Sequence, residues 1–323
     1  MKKIRLALIA GGKSDEREVS LNGAKGVAAA LNAEKYELSR YDPASDLARL
    51  AADADKLDVA FILLHGLFGE DGTIQGFLDL LDIPYQGAGV LGSATAMDKN
   101  RAKILYRESG LPVAPWLMAE AADRNNPERL VNTLHLPCVV KPVRQGSSIG
   151  MSIVHKAEEL GPALALAFEH DSQVMVEQYI QGRELTAAVL GNEDLQALPL
   201  VEIIPDSRYT FFNYEAKYLP GASREICPAE VDEAIRAQAQ EYALRAHRCL
   251  DLRGYSRTDM MLSQDNKLYV LETNTIPGMT PTSLFPQAAA AAGYSFASLL
   301  DKLIELALEG RGANSKETND KQA

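Results

Sequence analysis

The sequence predicts an α/β protein that turns into α+β after its first third. Two patterns carry this. Strand, loop and helix alternate through the first hundred residues, which implies a parallel sheet with helices packed on it. Beyond residue 99 the strands come in groups, with helices between them. The length agrees: 323 residues, 46% apolar and 24% charged, exceed one ordinary core and suit two or three domains.

The elements follow in order. "IRLALIAG" (4–11) reads as a buried parallel strand and "VSLNGAKGVAAALN" (19–32) as a helix. "DVAFILLHG" (58–66) is a second strong strand, "GTIQGFLDLLD" (72–82) a second helix and "IPYQGAG" (83–89) a short edge piece. These make an N-terminal parallel α/β domain, 1–98. "DKNRAKILYRESG" (98–110) is an amphipathic helix stopped by Gly110 and Pro112. "PCVVKPV" (137–143), "GMSIV" (150–154) and "VMVEQYI" (174–180) are strands, with the helix "AEELGPALALAFE" (157–169) before the last, giving a central α+β unit, 99–180. "RELTAAVL" (183–190) and "LQALPLVEII" (195–204) continue as strands, and 229–251 is a long helix. A hairpin over 255–274 and the amphipathic helix "SFASLLDKLIELALEG" (295–310) complete a C-terminal α+β unit, 181–310. The tail 311–323 is polar and aperiodic and is expected to be disordered.

Bulk chemistry removes several function classes. A net charge of −11 sets up no positive field for a nucleic acid or a membrane surface. Cys138, Cys227 and Cys249 are far apart and lack metal-ligand spacing, as expected of reduced thiols. The N-terminal "MKKIRLALIAGGKSDERE" lacks a small-residue cleavage site, and no stretch suits a bilayer span. A cytoplasmic location and no membrane insertion are the expectation. "ALIAGGKS" (7–14) imitates a phosphate-binding P-loop, but Ala7 stands where Gly is needed and lies inside the strand.

The hairpin carries the chemistry. Arg257 and Asp259 are two apart and share a sheet face, as do Glu272 and Asn274. A four-residue loop at 264–267 would pair Ser263 with Leu268 and set Asp259 opposite Glu272. Like charges facing each other repel, and a hard divalent cation would relieve them. Alternatively, Arg257 balances the acids on a solvated face. Upstream, "CVVKPVRQGSSIGMSIV" (138–154) sets Lys141 in an apolar strand, where it needs an anion, and follows it with a Gly-Ser loop able to cover phosphates. That loop could equally be a plain turn. Lys99, Glu177 and Glu184 are ambiguous alone, as a helix lysine and strand-end acids.

Together these pieces resemble the ATP-grasp superfamily and, within it, the D-alanine–D-alanine ligase family. Five motifs in the family's order carry the resemblance: 11–24, "HGLFGEDGTIQG" (65–76), "KPVRQGSSIGMS" (141–152), "YEAKYLPG" (214–221) and "LETNTIPGMTPTSLFP" (271–286). It implies an ATP-grasp fold with ATP held between the central and C-terminal units, and two Mg²⁺ ions, Mn²⁺ being an acceptable substitute. Asp259 and Glu272 would hold one ion, Glu272 and Asn274 the other. Lys99 and Lys141 match phosphate ligands, Glu177 the acid near adenine, Glu184 the ribose acid, and Gly146, Ser147 and Ser148 the flap. Glu18 matches the acid for the first substrate's ammonium, in a hydrogen-bonded set with Ser147 and Tyr218. Tyr218 favours a dipeptide over an ester product. His65 would orient the first carboxylate, while Lys217, Ser283 and the Leu284 backbone would receive the second. Arg257 and the Gly278 N–H would stabilise an oxyanion. The implied reaction joins two D-alanines through an acyl phosphate for peptidoglycan precursors, in a homodimer. Gln145, Thr258 and Ile276 depart from the family's usual residues, and Ile276 is expected to reshape the pocket. A nucleotide-binding protein that has lost catalysis is the rival from another class, but no ligand position is apolar.

Overall fold

The computed structural model describes residues 2–124, 126–206 and 223–319. Three strands, β1 (Ile4–Ile9), β2 (Tyr36–Tyr41) and β3 (Val59–Ile62), form a parallel sheet ordered β2-β1-β3, extended by a bridge from Ala60 to Tyr85. β2 escapes the sequence pattern because it is an edge strand buried only at its two tyrosines. The loop after β1 is no phosphate cradle. Its Gly11 and Gly12 N–H groups donate to Ser20 and Asp42, 2.8 and 2.9 Å away.

The second sheet is antiparallel and ordered β4-β7-β5-β6, from β4 (Trp116–Met118), β5 (Cys138–Pro142), β6 (Ser152–Val154) and β7 (Val174–Gln178). The helix Ala157–His170 buries Leu160, Ala163, Leu164 and Ala167 against it. The third sheet contains β8 (Gly182–Gly191), β9 (Gln196–Ala197), β10 (Val201–Pro205), β11 (Ser223–Ile226), β12 (Gly254–Ser263) and β13 (Leu268–Asn274), with the path β11-β10-β8-β12-β13. The expected single strand over 195–204 is two strands parted at Pro199, which has no N–H to donate to a ladder.

Packing crosses the expected sequence boundaries. Helix Lys99–Glu108, grouped by sequence with the central unit, buries Ala102 and Tyr106 in the core of the third sheet, beside Met260 and Val270. The final helices share a core with the first sheet: Phe285, Leu299 and Leu303 meet Leu6, Leu8 and Phe61. The last helix runs Phe296–Asn319, past its expected end at 310, so 311–319 is helical rather than disordered. No proline interrupts this polar segment, so the helix can propagate without an apolar stripe. Among the described residues, no helix is long and apolar enough to cross a membrane.

Candidate active site

β12 alternates cleanly. Thr258, Met260 and Leu262 are buried, while Arg257, Asp259 and Met261 point the other way. β13 starts likewise, with Leu268 and Val270 buried beneath helix Glu233–Cys249. Continued alternation would turn Glu272 into that core. A bulge prevents this: Met260 faces Val270 and Asp259 faces Glu272, so Leu271 is the extra residue. Leu271 and Glu272 therefore both line the cleft, together with Asp259. The predicted pairing of Asp259 with Glu272 is correct, but its route is not. Leu262, not Ser263, opposes Leu268, and the one-residue error cancels against the bulge.

The acids are already partnered. Arg257 holds Asp259 through two bonds of 2.8 and 2.7 Å. Thr186 donates to the same carboxylate at 2.6 Å, and Asn274 Nδ2 at 3.1 Å. Burial disfavours the Arg257 charge, yet Asp259 outweighs it and the guanidinium pKa is raised. Lys99 Nζ lies 3.1 Å from Glu272 and donates to the Gln145 carbonyl at 2.7 Å. Gln145 ties its side chain to His170 O at 3.1 Å.

A cleft of about 940 Å³, counted to its mouth, opens between the second and third sheets. Val139, Met151, Ile153, Met261 and Leu271 give it apolar walls. Lys99, Lys141, Glu184, Glu272 and the 146–149 backbone supply its polar groups. Lys141 is bonded to Glu177. A second lysine, Lys103, is fully buried, with Nζ 2.8 Å from Glu177 Oε2 and 5.6 Å from the Trp116 ring centre. This is an ion pair in distance but off the hydrogen-bond axis, as Lys103 Nζ and Glu177 Oε2 meet no hydrogen-bond geometry. Burial would raise the Glu177 carboxyl, but the two lysines outweigh it and hold it at about 2. Glu177 thus keeps both ammonium groups in place. Lys103→Met should destabilise the fold by about 3 kcal/mol in urea melts and weaken nucleotide binding. Unchanged melts would contradict a buried pair.

The flap differs in detail from the expected glycine turn. Left-handed backbone falls on Ser147 (φ 51°) and Ser148 (φ 58°) as well as Gly150. Both serines carry the steric cost of that region, which clusters at functional loops. Ser147 bonds the Glu16 carboxylate. Here the sequence assignment needs correction: the acid brought to Ser147 is Glu16, whereas Glu18 is exposed on helix Arg17–Ala30. Glu16 precedes the helix and turns inward, and two residues on, the helical rotation turns Glu18 outward. Gly66 and Gly146 press against Glu16: a Cβ on either would sit 3.0 or 3.1 Å from its carboxylate.

A second cleft, of about 1530 Å³, adjoins the first and shares Gly146 and Ser147 with it. Glu16, Glu18, His65, Glu70, Arg257, Asn274, Gly278, Ser283 and Leu284 line it. Burial lowers the pKa of His65, which favours the neutral ring. Ser283 Oγ accepts from Thr280 N at 3.1 Å, and a Cβ on Gly278 would lie 3.0 Å from that Oγ. Lys217 and Tyr218 lie outside the described residues. Glu16, Glu70, Lys103 and Thr186 join the predicted residues. For Lys103 a signal existed, since it is four residues from Lys99 and on the same helix face.

The comparisons with known proteins agree with this geometry. The family models for the D-ala D-ala ligase C-terminus and N-terminus match residues 105–305 and 40–88. A D-alanine–D-alanine ligase of Desulfotalea psychrophila is 63% identical over 308 residues, covering 95% of this chain and 96% of the relative. The structure of a D-alanine–D-alanine ligase from Bacillus anthracis complexed with ATP superposes with a TM-score of 0.84 at 34% identity, covering 96% of this chain and 99% of that one. The VanG D-Ala:D-Ser ligase of Enterococcus faecalis superposes at 0.81 and 32% identity, covering 95% and 100%. Two antiparallel sheets closing on a lysine-lined cleft, beside a parallel α/β unit, are the architecture of an ATP-grasp ligase. Within that class, the chain belongs to the D-alanine–D-alanine ligase family.

Proposed function

We propose that this chain joins two D-alanine molecules at the expense of ATP, supplying a peptidoglycan precursor in the cytoplasm. The observation carrying this reading is the junction of the two clefts at Gly146 and Ser147. A nucleotide in the first cleft would point its phosphates at a carboxylate in the second. Lys99, Lys141 and the 146–150 flap would hold those phosphates, with Glu184 on the ribose. The first D-alanine would set its ammonium against Glu16 and its carboxylate near His65. That carboxylate attacks the γ-phosphoryl group, giving an acyl phosphate and ADP. The second D-alanine, its carboxylate received by Lys217, Ser283 and the Leu284 backbone, attacks the acyl carbon through its amine, and phosphate leaves. Arg257 and the Gly278 N–H would hold the oxyanion formed in that step.

Asp259, Glu272 and Asn274 fit Mg²⁺ or Mn²⁺. Asp259 and Glu272 offer hard carboxylate oxygens; Asn274 turns its Nδ2 to Asp259 here, and its amide would flip to present oxygen to an ion. Among the described residues no cluster of three or more His, Cys, Asp or Glu could hold a metal by itself, so nucleotide phosphates would complete the shell. When bound, the ions neutralise charge on adjacent phosphates. Arg257 must then share or release Asp259, leaving its guanidinium for the oxyanion.

We assign the units 1–98, 99–180 and 181–310 as the sequence divides them, with helix 99–108 attached to the third sheet. A homodimer is our reading of the apolar side chains Phe68, Leu80 and Leu91, each more than half exposed on the first unit. Incubation with ATP, Mg²⁺, D-alanine, D-serine and D-lactate together, followed by mass spectrometry, tests the function. D-alanyl-D-alanine as main product is expected. No ADP release, or a mixed product in excess, would overturn it.

A further inference from the structure

The second-substrate loop is anchored on both faces of the first sheet: Met279 packs with Leu6, Leu8 and Phe61, and Ile276 enters the core on the other face. Ile276 is 2% exposed and clusters with Ile9, Leu64, Ile74 and Tyr85, 190 or more positions earlier in the chain. The other described members of that core all fall between residues 7 and 85. Its backbone is held from the same side. The Ile276 N–H donates to Glu70 Oε1 at 3.3 Å, while Glu70 Oε2 accepts from Gly66 N at 2.9 Å. The 65–70 loop and Ile276 therefore form one clamp, made from both ends of the chain.

We infer that Ile276 is the positioning residue that fixes the second-substrate loop against the N-terminal unit. This deepens the ligase reading and rests on it. Pro277 restricts Ile276 to extended backbone, so the anchor passes rigidly to Gly278, two residues on. Asn274, two residues before Ile276, is held separately in the ladder opposite Arg257. Pulling Ile276 from its socket would move the oxyanion donor away from Glu16 and His65. Ile276 also lines the second cleft, and beside any shaping of that pocket its side chain packs in the first-sheet core and acts on substrates through the loop. The nucleotide cleft contains no Ile276 contact and should be untouched.

Full-length Ile276→Ala and Ile276→Val would be compared with the parent chain. For Ile276→Ala, KM for D-alanine should rise and kcat fall, by about tenfold in kcat/KM, which corresponds to 1.36 kcal/mol. Affinity for a non-hydrolysable ATP analogue with Mg²⁺ should stay within about twofold, and Ile276→Val should recover most of the loss. Unchanged kinetics in folded Ile276→Ala, or nucleotide affinity falling in parallel, would overturn the inference. If Ile276→Ala does not fold, Ile276→Val decides: the inference requires a measurable KM rise there at constant nucleotide affinity. A parent chain that makes no dipeptide would instead overturn the function.

Discussion

Glu272→Gln is expected to lower kcat by about three orders of magnitude, corresponding to roughly 4 kcal/mol of transition-state stabilisation, with the fold intact. The side chain is near-isosteric and its parent about a quarter exposed, so folding should not suffer. Electrostatics is what changes. Asp259 and Glu272 face each other across β12 and β13, and their two negative charges are what would gather Mg²⁺ at the phosphates. A glutamine keeps an oxygen ligand but halves that charge. Lys99, 3.1 Å from Glu272, also loses its anion and would turn wholly to phosphate. The two changes differ in direction: nucleotide affinity can survive on Lys99 and Lys141, while phosphoryl transfer loses its charge neutralisation. ADP release under saturating Mg²⁺, with a thermal melt alongside, separates them. A variant turning over at the parent rate would remove Glu272 from the metal assignment.

Much of this geometry was legible in the sequence, in an uneven way. Alternation placed Arg257 and Asp259 on the cleft face, because β12 keeps the two-residue period, whereas Glu272 on β13 reaches that face only through a bulge. The bulge at Leu271 was not legible, since nothing in "LYVLETN" distinguishes an extra residue from a regular one. Its cause is tertiary. Thr258 and Thr273 pair at 3.0 Å on the buried side, and Tyr106, from helix Lys99–Glu108, reaches Thr273 at 2.8 Å. That buried hydroxyl chain gives Thr258 its partner on the core side of β12. Its hydrogen bonds give the pair a fixed register. Lys103 was missed for a related reason. On a helix rich in charge it reads as solvated; its four-residue spacing puts it on the Lys99 face, and the packing of Trp116 and Glu177 around it shows the burial. Ile276 lines the second cleft and also enters the first-sheet core, and the second fact was not legible, because periodicity carries no information inside a loop about which core an apolar side chain enters.

The two acids of "SDEREVS" should separate cleanly. Glu16→Gln should lower kcat/KM for D-alanine by about a hundredfold, or roughly 2.7 kcal/mol, within the range for a hydrogen bond to a charged group. Glu18→Gln should stay within about twofold. Both carboxylates line the second cleft, so position alone does not choose between them. Environment does. Glu16 is buried, bonded to Ser147 of the flap and packed against Gly66 and Gly146. A fixed carboxylate in a desolvated site binds an ammonium far better than one free to rotate in water. Glu18 is exposed at the first turn of its helix, where an acid is favoured by the helix dipole alone. Glu16 also reaches the flap that covers the phosphates, so its loss should reduce kcat as well as raise KM. A loss confined to KM would limit Glu16 to ground-state binding of the ammonium. If Glu18→Gln were the damaging change and Glu16→Gln the silent one, the ammonium site would lie at the exposed helix face, and the bond between Ser147 and Glu16 would serve only to shape the flap.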